Sequence, residues 1–196
     1  MNMSWDNAAQ VLKKGGVIIL PTDTLYGIVG KSSLKKTVEQ IYKIRQRDKG
    51  KPCIVLISSF NDLDKFSAPA LKKNDPKNLF LHHVWPGKVS VVLPCSDPKF
   101  RYLHRGTNAI AFRMIGPKNK DLFNLLKQTG PLIAPSANLE GFAPATTISE
   151  AKKYFSDKVN GYISGGKLDS SASTLVSLLR SKPKVLRQGS VDIYKP

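Results

Sequence analysis

Pro21-Thr22-Asp23-Thr24-Leu25-Tyr26-Gly27 stands directly after the apolar run Val17-Ile18-Ile19-Leu20. A buried strand that ends in a proline and then shows hydroxyls and a carboxylate presents them at a sheet edge, where open α/β sheets hold their ligands. Gly27 is expected to let the chain turn away without a Cβ penalty. The same chemistry recurs. Arg45-Gln46-Arg47-Asp48-Lys49-Gly50-Lys51-Pro52 puts cations on a loop at a helix end, just before a strand. Ala134-Pro135-Ser136-Ala137-Asn138 places small polar groups after a short strand, Ser173-Thr174 precedes an apolar strand, and Arg187-Gln188-Gly189 ends another. Each segment alone reads as an ordinary turn, since small polar residues are common there. Repeated beside one strand after another, these hydroxyls, arginines and lysines suit phosphates and carboxylates better than acyl hydrolysis.

What is missing narrows the chemistry further. Gly87-Lys88 is followed by Val89 and lacks the upstream glycine of a Walker A loop, and there is no G-x-G-x-x-G. His82, His83 and His104 have no zinc-like spacing with Cys53 and Cys95. No Ser-His-Asp arrangement can be built from them. No acid/base residue and no metal-ligating residue is therefore assigned. His82 and His83 read as helix surface, and Trp85 reads as core.

The elements that must position these groups show in the apolar spacing. Trp5, Ala8, Ala9 and Leu12 repeat at helical intervals behind a Ser4 cap, with Gly15 as the stop. Leu34, Val38, Ile41 and Tyr42 mark a second helix. Short helices are expected near 61–66 and 77–84. A longer one spans 119–129, where Leu122, Leu125 and Leu126 share a face and Gly130-Pro131 ends it. Thr147-Ile148-Ser149-Glu150 opens a capped helix through Phe155. Strands are expected at 17–20, 54–57, 89–93, 109–114, 132–134, 161–163, 174–178 and 185–187. Strands and helices alternate early and strands cluster late, which predicts a mixed α/β sheet in one domain over residues 1–196.

Composition sets the outer bounds. A chain of 196 residues, 41% hydrophobic and 8% aromatic, is long enough to bury a substantial core. No apolar run approaches the ~20 residues of a membrane span, and no secretory segment opens the chain, so a cytoplasmic location without membrane contact is expected. Cys53 and Cys95 lie in apolar stretches and read as buried thiols. Charge is the outlier. Thirty-one Lys+Arg against fourteen Asp+Glu leave a formal +17, which favours polyanionic partners, either nucleic acid or phosphorylated ligands. The lysines are scattered over expected helices, Lys35, Lys36, Lys72, Lys73, Lys152 and Lys153 among them, so the charge names a class of partner and no more.

Taken in order, these segments resemble the YrdC-like family, the threonylcarbamoyl-AMP synthases. The resemblance runs from about Trp5 to Gly189. It rests on Pro-Thr-Asp-Thr-Leu-Tyr-Gly at 21–27, the basic element ending in Lys51-Pro52, Trp85-Pro86-Gly87, Ala111-Phe112-Arg113, Ser136-Ala137-Asn138, Ser173-Thr174 and Arg187-Gln188-Gly189. It implies a single-domain, mixed, twisted α/β sheet with flanking helices and a concave basic groove. It also implies a reaction, in which L-threonine and bicarbonate form a carbamate that attacks the α-phosphate of ATP. The products would be threonylcarbamoyl-adenylate and pyrophosphate, with separate transferase proteins passing the group to tRNA.

By the same resemblance, Thr24, Arg113 and Ser173 would contact threonine, with Arg113 clamping its carboxylate. Arg45, Arg47, Lys51, Ser136, Asn138 and Arg187 would hold the nucleotide. Mg2+ would accompany ATP, held by phosphates and water, since no carboxylate cage is visible. Partners would include the transferase proteins and tRNA or double-stranded RNA. The chain departs from the family pattern at Arg45, where lysine is more usual, and at Lys88, where proline is common. Pro144-Ala145 reverses a familiar order. Leu56 stands where some members carry a histidine near threonine, which leaves amino-acid selectivity open. In length the chain matches the family's short single-domain form. Two other readings compete: an RNA-binding module without catalysis, and a paralogue that uses a different carbamoyl or acyl acceptor.

Overall fold

A computed structural model describes residues 3–68 and 74–194. Lys72 and Lys73 lie outside the described residues. In chain order the helices are α1 (Trp5–Lys13), α2 (Lys35–Ile44), α3 (Pro76–Val84), α4 (Arg101–His104), α5 (Lys120–Thr129) and α6 (Ile148–Phe155). The strands are β1 (Ile18–Pro21), β2 (Tyr26–Lys31), β3 (Ile54–Ile57), β4 (Val89–Pro94), β5 (Ala109–Met114), β6 (Leu132–Ile133), β7 (Gly161–Tyr162), β8 (Thr174–Ser177) and β9 (Lys184–Arg187). They form one nine-stranded sheet in the order β7-β1-β2-β6-β3-β5-β4-β8-β9. β1–β7, β3–β5 and β4–β8 run parallel and the remaining neighbours antiparallel, so the sheet is mixed.

The period-2 alternation of strands sorts side chains onto two cores. Ile18 and Leu20 of β1, Leu56 of β3 and Leu132 of β6 pack with Ala8, Ala9 and Leu12 of α1 and Leu122, Leu125 and Leu126 of α5. Ile19, Val55, Ile57, Ile110 and Phe112 turn to the opposite face, against Val38, Ile41 and Tyr42 of α2 and Leu81 and Val84 of α3. Local signals hold the helices in place. Ser4 caps α1 by accepting from the Asn7 amide, and Thr147 caps α6 by accepting from the Glu150 amide. The Glu150 carboxylate in turn accepts from the Thr146 amide and hydroxyl. Both cysteines are buried and unpaired. Trp85 is buried and donates its indole N–H to the Val89 carbonyl, as a core residue does.

One expectation fails at Gly27. The chain does not turn away there; it has already turned at Thr22–Leu25 and runs on as β2, paired with β1 through Leu20↔Gly27 and Pro21↔Tyr26. Two glycines masked this strand, because glycine weakens a strand pattern. Gly30 has a packing reason: a Cβ there would stand 2.4 Å from Thr37 Cγ2, so its absence lets α2 lie close against the sheet. The short α4 was also not legible, since one helical turn carries no periodicity.

Candidate active site

The tips of β1, β5, β8 and β9 and the loops after α2 and β6 converge on a cavity of about 260 Å³. Thr24, Arg45, Arg47, Arg113, Ser136, Ser173 and Arg187 line it, with Ile54, Ala111 and Leu175 as its apolar wall. Residues separated by more than a hundred positions in sequence thus share one wall, and four arginines face a common space. Lys51 and Asn138 are not among the lining residues. Lys51 points to solvent and pairs with Glu140 at 2.7 Å. Asn138 is buried behind the wall and supports other groups.

Arg113 is the most constrained cation. Parallel pairing of β3 and β5 sets it opposite Leu56, on a strand whose alternate residues Ile110 and Phe112 belong to the core. Its side chain is 5% exposed, and Nη2 lies 2.9 Å from Asp23 Oδ1 and 3.4 Å from Thr22 Oγ1. Nε has no hydrogen-bond partner. Burial pushes its pKa down, Asp23 opposes that, and Arg187 adds to it, so the two arginines feel each other across the cavity. A buried charged donor left without a partner costs about 1–3 kcal/mol or more.

Thr22 builds the turn that presents Thr24. Its hydroxyl donates to the Leu25 carbonyl at 2.7 Å, accepts from the Thr24 amide, and meets the Thr24 hydroxyl at 3.2 Å. Thr22 and Asp23 are therefore site residues to which no role was assigned from sequence, although both stand in the first motif. Asp23 could be matched to Arg113 only in three dimensions.

Arg45 closes the other side. It is 2% exposed; Nε donates to the Asn138 carbonyl and Nη2 to Asn138 Oδ1, at 2.9 and 3.0 Å. Ser136 donates its hydroxyl to the same Oδ1 at 2.7 Å, and Asn138 spends its amide hydrogens on the Leu139 and Phe142 carbonyls. Asn138 is thus a fully satisfied hub that orients Arg45 and Ser136. Arg45 Nη1 remains buried without a partner, and burial lowers the pKa of the guanidinium. Arg47 is held by the Lys51 and Pro52 carbonyls. Arg187 donates to the Ser173 carbonyl at 2.9 Å, and the Ser173 hydroxyl meets that of Ser90 at 2.8 Å. Four cations held in this way around one space form an arrangement able to stabilise an anion.

A family profile described as "Telomere recombination", spanning the Sua5, YciO and YrdC proteins, matches residues 10–189. The chain belongs to this family. Among curated members, Bacillus subtilis threonylcarbamoyl-AMP synthase is 29% identical over 94% of this chain and 53% of its own. Among solved structures, Pyrococcus abyssi Sua5 complexed with L-threonine superposes with a TM-score of 0.85 at 27% identity, over 94% of this chain and 54% of that one. E. coli YciO superposes with a TM-score of 0.82 at 26% identity, over 97% and 91%. The chain therefore spans about half the length of the Bacillus and Pyrococcus relatives and nearly all of YciO. The YrdC-like α/β fold expected from the motifs is the fold observed.

No group of three or more His, Cys, Asp or Glu among the described residues is placed to hold a metal ion. Among them, too, no helix is long and apolar enough to cross a membrane.

Proposed function

We propose that this protein is a threonylcarbamoyl-AMP synthase, a nucleotidyltransferase that forms threonylcarbamoyl-adenylate and pyrophosphate from L-threonine, bicarbonate and ATP. The observation that carries the reading is the pair of buried arginines, Arg113 and Arg45, which line one cavity and each keep a buried nitrogen that no protein group satisfies. Two separate anions fit them: a carboxylate at Arg113 beside Thr24, and a polyphosphate at Arg45, Arg47 and Arg187. Membership of the family, and a relative solved in complex with L-threonine, support a reading in which threonine is a substrate.

In this reading the chain's residues position and stabilise rather than transfer protons. Arg113 orients the acceptor by its carboxylate, with Thr24 and Ser173 alongside, so that the carbamate oxygen faces the α-phosphate. Arg45, Arg47, Arg187 and Ser136 meet the charge that builds on the phosphates as pyrophosphate leaves. Adenylation needs this placement and charge stabilisation more than an acid/base residue. Lys51 would reach the phosphates only by leaving Glu140. The cavity offers no carboxylate cluster, so Mg2+ would arrive with ATP, ligated by phosphates and water. A cytoplasmic role in tRNA modification, upstream of transferase proteins, completes the proposal.

One second reading is a synthase with a different amino-acid acceptor, since Leu56, opposite Arg113 across the β3–β5 pair, is fully buried in the core with α1 and α5, outside the cavity lining, and supplies no polar group beside the arginine. Mass spectrometry of the products from ATP, bicarbonate and a panel of amino acids tests both. A threonylcarbamoyl-adenylate peak supports the first reading, the adduct of another amino acid supports the second, and no adenylate at all removes both.

A further inference from the structure

On the flank formed by α2 and α4, away from the cavity, a second depression of about 320 Å³ is lined by Lys35, Glu39, Lys49, Arg101, Tyr102 and Arg105. Its charge is lopsided. Lysines and arginines supply all but one of its charged groups, and the lone carboxylate, Glu39, is already taken by Arg105 Nη1 at 2.9 Å. Lys35, Lys49 and Arg101 have no ion pair among the described residues.

Arg105 separates this place from a merely solvated basic surface. Its side chain is 9% exposed, and its guanidinium carbon stacks 3.8 Å from the centre of the Tyr42 ring. Nε and Nη2 are buried and have no hydrogen-bond acceptor. The left-handed backbone at Arg105 (φ 52°) ends α4 and fixes where this side chain starts. A guanidinium held flat on an aromatic face supplies a fixed positive charge at the depression, and the exposed Lys35, Lys49 and Arg101 supply the donors that a phosphate can reach. The depression also adjoins the candidate active site through a single loop: Lys49 lines the one and Arg47 the other.

The geometry points to a second phosphate-binding site, distinct from the nucleotide cavity, in which Lys35, Lys49 and Arg101 close on a phosphate group over the stacked Arg105. A phosphodiester of an RNA backbone and a free polyphosphate such as pyrophosphate share this chemistry. The formal +17 of the chain would draw either one. This site goes beyond the synthase reading and does not depend on it.

The test is nuclear magnetic resonance on the full chain, titrated separately with pyrophosphate and with a short RNA duplex. The amides of Tyr102, Arg105 and Gly106 report on this site, and those of Ala111 and Arg113 on the cavity. At least one probe is expected to move the first group saturably. Lys35→Gln with Arg101→Gln, both exposed and outside the catalytic cavity, is expected to weaken that response about tenfold or more while the second group still responds. RNA acting alone identifies a nucleic-acid backbone, with the salt slope of binding falling by about 1 per cation removed. Pyrophosphate acting alone identifies a small polyphosphate. If neither probe moves the Tyr102–Gly106 amides, or the double variant responds as the wild type does, the site does not exist.

Discussion

The Arg113 guanidinium lies 2.9 Å from the Asp23 carboxylate, and both side chains are more than nine-tenths buried. The pair joins the turn after β1 to the end of β5, across a sequence separation of 90. Asp23 does not line the cavity but lines a neighbouring depression with Pro86, Gly87 and Met114. It charge-pairs the guanidinium through Nη2 and leaves Nε without a hydrogen-bond partner.

Asp23→Asn removes the charge partner of a buried cation. Breaking such a pair costs about 3–5 kcal/mol, and urea denaturation is expected to show a loss of that order. L-threonine should then stabilise the variant more than the wild type, because its carboxylate replaces the missing one. An equal or smaller ligand-induced shift in Tm contradicts the role given to the pair.

Arg113→Ala removes the proposed carboxylate clamp. The KM for threonine should rise about tenfold to a hundredfold, the range of one or two charge-assisted hydrogen bonds, with little change in the KM for ATP. Equal effects on both substrates in steady-state assays would sink the assignment.

Asn138→Ala tests the hub behind the wall. Arg45 would lose its Nη2 acceptor and Ser136 its Oδ1 partner, at a stability cost of about 1–3 kcal/mol. Because Arg45 is placed on the phosphate side, the KM for ATP should rise more than that for threonine. An unchanged KM for ATP in a folded variant contradicts this placement.

How much of this was legible in the sequence depends on range. β5 matched its expected bounds of 109–114, since a short apolar run with an arginine near its end is a local signal. β2 was lost because Gly27 and Gly30 dilute a strand pattern, and what calls for Gly30 is a helix several residues further on. The motifs named the cations but not which way they face. Lys51 points outward because Glu140, 89 positions away, holds it there, and Asn138 is support because it lies behind Arg45 and accepts from it. The Asp23–Arg113 pair could not be read at all, since sequence distance hides charge partners.

The Lys51–Glu140 pair makes the loop after α2 sensitive to acid. Lys51, followed by the Asp48 amide, holds the Glu140 carboxyl below its usual value. A depressed carboxylate contributes above its ordinary pKa of about 4 and loses that contribution as pH falls through the lowered value. Limited proteolysis should therefore cut 45–51 faster in acid, and Glu140→Gln should be fast-cut at every pH. Lys51→Ala should keep the fold, since its pair is exposed, while weakening ATP binding. A collapse of Tm would make Lys51 structural instead.

Pyrophosphate release from ATP and bicarbonate, measured with and without L-threonine and in parallel with serine and glycine, tests the central claim most directly. The account predicts release that depends on threonine and falls sharply in Arg113→Ala. Folded protein that releases no pyrophosphate with any amino acid would contradict it.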